Sequence, residues 1–148
     1  MIKRTITYED FNGNEVTEDL WFNLSKTELT KMQFSKEKEF SGGLEAYIRH
    51  LVDSNDRYGL VEFYRDIILA AYGKKSDDGR SFLKTPAIRE AFEYSAAFDD
   101  FFFKMMTEED QHVDEFIIGI MPKGLIDDNV MAQAKEKAAE LVRQSQGV

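Results

Sequence analysis

Two histidines, His50 and His112, are the only imidazoles in the chain. His112 opens the run His-Val-Asp-Glu, so Glu115 stands about one helical turn away and could share a metal ion with it. Protein zinc sites draw on three or four ligands, and few others stand near either histidine. Both are therefore read as solvent-facing helix residues. Serine-nucleophile, phosphate-loop, dinucleotide and H-E-x-x-H signatures are absent from the sequence. The runs Ser54–Gly59 and Lys74–Phe82 gather acids beside glycine, but without the spacing that places ligands around calcium. They read as turns, which Asp, Asn, Ser and Gly favour. Lys74, Lys75, Arg80 and Lys84 make a small basic loop, interleaved with Asp77 and Asp78. That mixture admits contact with an acidic partner and does not suit nucleic acid. No catalytic residue, cofactor site or metal site is expected.

The unusual chemistry is apolar. Residues 97–106 read Ala-Phe-Asp-Asp-Phe-Phe-Phe-Lys-Met-Met. Thr85 and Pro86 are suited to the N-cap and first position of a helix expected to run to about Met106. On one continuous helix, Phe102 centres the apolar face, with Ile88, Phe98, Met105 and Met106 beside it. Phe101 and Tyr94 lie on one shoulder, and Phe103 and Phe92 on the other. The far side holds Arg89, Glu93, Asp100 and Lys104, and Asp99 stands at the margin. The apolar arc spans roughly 200°, against the ~100° a surface helix needs. Either the helix is central, with neighbours on both shoulders, or one shoulder binds another protein. The second reading gives a candidate partner surface of Phe92, Tyr94, Phe101, Phe103, Met105, Met106 and Phe116.

These residues need a scaffold, and its elements are punctuated in the sequence. Residues 2–8 and 16–24 alternate with period two around Asn12-Gly13, which predicts a β-hairpin with a type I′ turn. Trp21 points away from Leu20 and Phe22, so a cover on that face is expected too. Ser25 and Glu28 form a capping box, with Leu24 and Leu29 as a hydrophobic staple, opening a helix to about Phe34. A charged loop is expected over 35–43. Stripes at Leu44, Tyr47, Ile48, Leu51 and Val52, and from Leu60 to Tyr72, predict two core helices, the second capped by Gly73. A further helix begins at Thr107 and carries Val113, Phe116, Ile117, Ile120 and Met121 before Pro122. Over 127–145, Val130, Ala134, Ala138 and Leu141 give only a thin stripe.

The expected fold is thus α+β, mainly α: an N-terminal β-hairpin followed by a bundle of about five to six helices. Residues 1–125 should form one globular domain, with hairpin 2–24 and helical part 25–125. Residues 126–148 would be a helical extension, weakly anchored and mobile or awaiting a partner.

Composition bounds the function. The chain has 148 residues, enough to bury roughly two-thirds of its unfolded surface. It lacks cysteine, which excludes disulfides and thiol chemistry. A net charge of −9 disfavours approach to a nucleic-acid polyanion. The first ten residues lack a signal-peptide h-region, and no apolar run nears the ~20 residues of a spanning helix. A soluble intracellular protein is expected.

The N-terminal Ile2–Gln33 stretch resembles that of tail assembly chaperones of long-tailed bacteriophages, particularly those of Gram-positive hosts. So do Tyr72, Gly73, Lys75, Ser76, Asp78, Gly79, Arg80 and Phe82, followed by an aromatic helix and by Phe116, Ile117, Gly119, Ile120 and Pro122. The resemblance spans roughly residues 1–125. It implies a non-enzymatic protein of the host bacterial cytoplasm that binds the tape-measure protein, keeps it soluble and recruits tail-tube subunits. Many such chaperones are made in a short and a frameshifted longer form. The free edge of the hairpin also suggests a homo-oligomer. Alternatives are a structural virion or adaptor protein of the tail and, more remotely, a small metal-dependent enzyme using His112.

Overall fold

In a computed structural model, residues 1–107, 116, 119–120 and 128–145 are described. Strands β1 (Ile2–Glu9) and β2 (Glu15–Phe22) pair antiparallel, with Ile2 opposite Phe22 and Tyr8 opposite Val16. The alternation predicted from sequence is present on the inner face, where Leu20 and Phe22 are fully buried. The connection is not the expected type I′ turn. Of the two central residues only Gly13 has positive φ, +81°, and the loop spans residues 10–14. Its organiser is Asp10, whose carboxylate accepts hydrogen bonds from the Asn12 and Asn14 amides at 2.9 Å each. That Asx arrangement stabilises a longer loop than the Asn-Gly pair alone would select.

The outer face of the hairpin is polar, with Thr5 donating to Asp19 and Thr7 bonded to Thr17. Trp21 lies among these groups. The cover expected over it comes from lysine side chains, the ammonium groups of Lys75 and Lys3 lying 4.1 and 5.8 Å from its ring. Aliphatic stems shield the indole while the charges remain in water and face its π-cloud.

The expected loop after residue 72 contains two more strands, β3 (Tyr72–Lys75) and β4 (Phe82–Leu83), giving an antiparallel sheet in the order β1-β2-β3-β4. Gly73 is not a helix cap but part of β3, opposite Trp21. It is required by close packing: a Cβ there would lie 2.6 Å from the Phe82 ring and 2.9 Å from the Leu83 carbonyl. Between the strands, Asp78 accepts from the Ser76 hydroxyl at 2.7 Å and the Arg80 amide at 3.0 Å. Those bonds, the backbone one first, hold its carboxyl below the usual value. Gly79 supplies the positive φ, +73°. The Ser-x-Asp-Gly-Arg motif thus builds a tight turn.

Six helices are described: α1 (Lys26–Glu39), α2 (Gly43–Asp53), α3 (Arg57–Ala71), α4 (Pro86–Glu93), α5 (Ala96–Thr107) and α6 (Asp128–Ser145). The fold is α+β, mainly α, as expected. Helix α1 opens on the predicted capping box, with both reciprocal bonds at 3.1 Å. It continues past Phe34 to Glu39, because the Lys/Glu run is a good helix former and Lys36 pairs with Glu39 one turn on.

The capping glutamate has a second task. Lys84, just after β4, donates to the Glu28 carboxylate at 2.8 Å and to the Asn23 carbonyl at 2.6 Å. It therefore ties β4 to the entry of α1. Burial would raise the Glu28 carboxyl, but hydrogen bonds from Lys84 and the Ser25 amide hold it below its usual 4.5. Burial lowers Lys84 by more than Glu28 restores. Lys84→Met should cost about 1–3 kcal/mol at neutral pH, toward the lower end because the Glu28 side chain is 35% exposed. A group with a depressed folded pKa stabilises fully above its unfolded value and loses that contribution as pH falls toward the folded one. The gap between wild type and variant should therefore narrow below pH 4.5, as read by urea unfolding across that range.

The core lies between the inner face of the sheet and the helices. One buried cluster runs from Leu20 and Phe22 through α2, α3 and α5 to Val130, Ala134, Ala138 and Leu141 of α6. Helix α6 packs against α2, α3 and α5. Its thin stripe is fully engaged over the described residues, instead of weakly anchored.

Candidate partner-binding surface

The aromatic segment is two helices, not one. Thr85 caps α4 by accepting from the Ile88 amide, and Pro86 follows at the first position, as expected. The continuous helix expected from Pro86 to Met106 is interrupted at Tyr94-Ser95. The Ser95 hydroxyl donates to the Phe92 carbonyl at 2.7 Å and accepts from the Phe98 amide at 3.0 Å. It thereby ends one helix and caps the next.

The break shifts the phase of everything after it. Phe101, expected on a shoulder, is 4% exposed and stacks on Phe22 with ring centroids 5.1 Å apart. Phe102, expected at the centre of the apolar face, is half-buried and stacks on Phe98 at 5.6 Å. Phe103 is 50% exposed. Three successive rings thus take three environments: core, boundary and solvent. Asp99 is exposed, and Asp100 pairs with Lys104, one turn on, at 3.0 Å.

Of the seven residues singled out from sequence, Phe92, Phe101, Met105, Met106 and Phe116 are buried. Three of them surround Phe22, whose ring meets those of Tyr72, Phe92, Phe101 and Phe116 at centroid distances of 5.1–6.1 Å. Tyr72 in turn stacks on Phe92 at 3.8 Å. Met105 and Met106 are likewise sealed, at 0% and 1% exposure. Tyr94, at the end of α4, and Phe103 remain on the surface, with Tyr94 77% exposed. Beneath α4, Arg65 of α3 donates to Glu93 at 2.8 Å, holding the segment to the bundle.

Other large apolar side chains are exposed at Phe11 on the hairpin loop, Phe34 on α1, Tyr58 on α3 and Leu83 on β4. Sequence periodicity did not separate these from core residues. The signal available was local: Phe11 adjoins a turn and Phe34 lies amid lysines and glutamates, outside any stripe.

No group of three or more metal-ligating side chains occurs among the described residues. His112 and Glu115 lie outside the described residues. No described helix is long and apolar enough to cross a membrane.

The described residues form a small sheet backed by helices, with single aromatics left on the surface. The chain matches the family model of phage tail assembly chaperones over residues 1–147 and belongs to that family. The match includes the C-terminal helix, which the sequence motifs did not reach. Membership suggests a non-enzymatic role with a protein partner in tail assembly. No curated protein and no solved structure matches the chain.

Proposed function

We propose that the chain binds the tape-measure protein in the host bacterial cytoplasm, keeps it soluble and helps recruit tail-tube subunits. The observation that carries this reading is family membership combined with exposed aromatic surface at Tyr94 and Phe103. An exposed aromatic forfeits burial energy in the free protein and recovers it against an apolar partner. Self-association through β1, the longer of the two edge strands in the sheet order, is a second part of the proposal.

Co-expression with the tape-measure protein tests it. Wild type should raise the soluble fraction of that partner, and a Tyr94→Ser/Phe103→Ser variant should reduce the effect at least about tenfold, as for loss of interface hot spots. Neither side chain is buried, so the variant should melt within a few degrees of wild type. Full solubilisation by a normally folded double variant would remove these two residues from the surface. Presence of the chain in purified virions would instead favour a structural tail component.

A further inference from the structure

A groove of about 640 Å³ opens between α1 and α3, away from the aromatic cluster. Its floor is apolar, made by buried Leu44, Phe63 and Ile67 with half-buried Met32 and Tyr47. Tyr58 stands at its edge, 77% exposed. The two walls carry opposite charge. Lys31 and Lys36 line the α1 side, and Asp56, Glu62 and Asp66 line the α3 side. Lys36 also lies over the Tyr47 ring at 4.1 Å, holding that ring in the floor.

This chemistry specifies a ligand. The walls are helices, whose backbone groups are already paired, so an extended segment would find no strand edge to join. A helix satisfies its own backbone and needs only an apolar stripe below with charges on its flanks. From Asp56 to Ile67 the α3 wall rises about 16 Å at 1.5 Å per residue, room for three turns of ligand helix. That length accommodates anchors at i, i+3 or i+4, and i+7.

We propose that the groove seats one amphipathic helix of the tape-measure protein. Its apolar stripe lies on Leu44, Phe63 and Ile67, with basic residues along α3 and acidic residues along α1. The inference rests on the function proposed above and adds a second contact with the same client, apart from Tyr94 and Phe103. Opposed charge on the two walls also fixes the direction of the bound helix, since reversal would place like charges together.

A photo-crosslinking phenylalanine analogue at position 58, with another at position 11 as control, tests this in the full chain co-expressed with the tape-measure protein. Both replaced side chains are exposed, at 77% and 85%, so folding is unaffected. Position 58 should crosslink to one client segment with an apolar stripe and a Lys/Arg flank, and position 11 should not. Glu62→Lys/Asp66→Lys should reduce the crosslink at least about tenfold, and raised salt should weaken it in the wild type. Equal crosslinking at both positions, crosslinking at 58 to a second copy of the chain, or none at 58 while the client stays soluble would overturn the groove and leave the chaperone reading standing. A client that gains no solubility from wild type and crosslinks at neither position would overturn both.

Discussion

Phe22→Ala should destabilise the chain by about 3–5 kcal/mol, the usual range for deleting a fully buried phenylalanine. Phe22 has no exposed surface, and four rings from four different parts of the chain converge on it. Tyr72 comes from β3, Phe92 from α4, Phe101 from α5, and Phe116 from beyond α5. Favourable aromatic pairs add roughly 0.5–1.5 kcal/mol each beyond area burial. The neighbours are held by separate backbone elements, so they cannot collapse readily into the void, which places the loss toward the upper end. With a net stability of about 5–15 kcal/mol for a domain, that is a large fraction of the whole. Urea unfolding by circular dichroism measures it; a loss under about 1 kcal/mol would mean the cluster repacks. Phe22→Leu keeps most of the volume and should recover more than half of the difference.

How far such a centre can be read from sequence depends on whether the signal is local. The inward alternation of Leu20 and Phe22, the capping box of Ser25 and Glu28, and the Ile48–Leu51 and Phe63–Ile67 stripes are governed by neighbours within one turn or one pleat. They appear in the structure as the sequence predicts. The β3–β4 pair was not legible, because its strands are short and polar and its register is fixed by the distant Trp21 and Phe22. Gly73 illustrates the difference. From sequence it ends a helical stripe, but what requires it in space is closeness to Phe82 and Leu83. The break at Ser95 was hidden for another reason. Serine is tolerated within helices, and only its paired bonds to Phe92 and Phe98 reveal a cap. Missing that single residue rotated the expected surface and placed Phe101 on a shoulder when it is core. The exposed pair Tyr94 and Phe103 is what remains of that surface.

Ala138→Asp should be among the most damaging substitutions in the chain, costing about 3–5 kcal/mol for a carboxyl group forced into a site with no exposed surface. The thin apolar stripe of residues 127–145 predicts the opposite, since a weakly held helix would tolerate it. Alanine is read as weak because each methyl buries little area. Small side chains, however, let helices approach to the lower end of the ~8–10 Å range, so contact is made with backbone as well as side chains. Ala134, Ala138 and Ala139 are buried at 2%, 0% and 1% exposure where α6 meets α2, α3 and α5. Gln133→Asp on the exposed side of the same helix provides the comparison. It introduces the same residue with a similar loss of helix propensity, about 0.5 kcal/mol, and no burial. Thermal unfolding should separate the two variants by roughly 5–18 °C, at about 2–4 °C per kcal/mol for a chain of this size. Equal melting temperatures would mean that α6 detaches readily in solution. A large gap would make the helix part of the folding unit, packed against α2 and α3, both of which also line the groove.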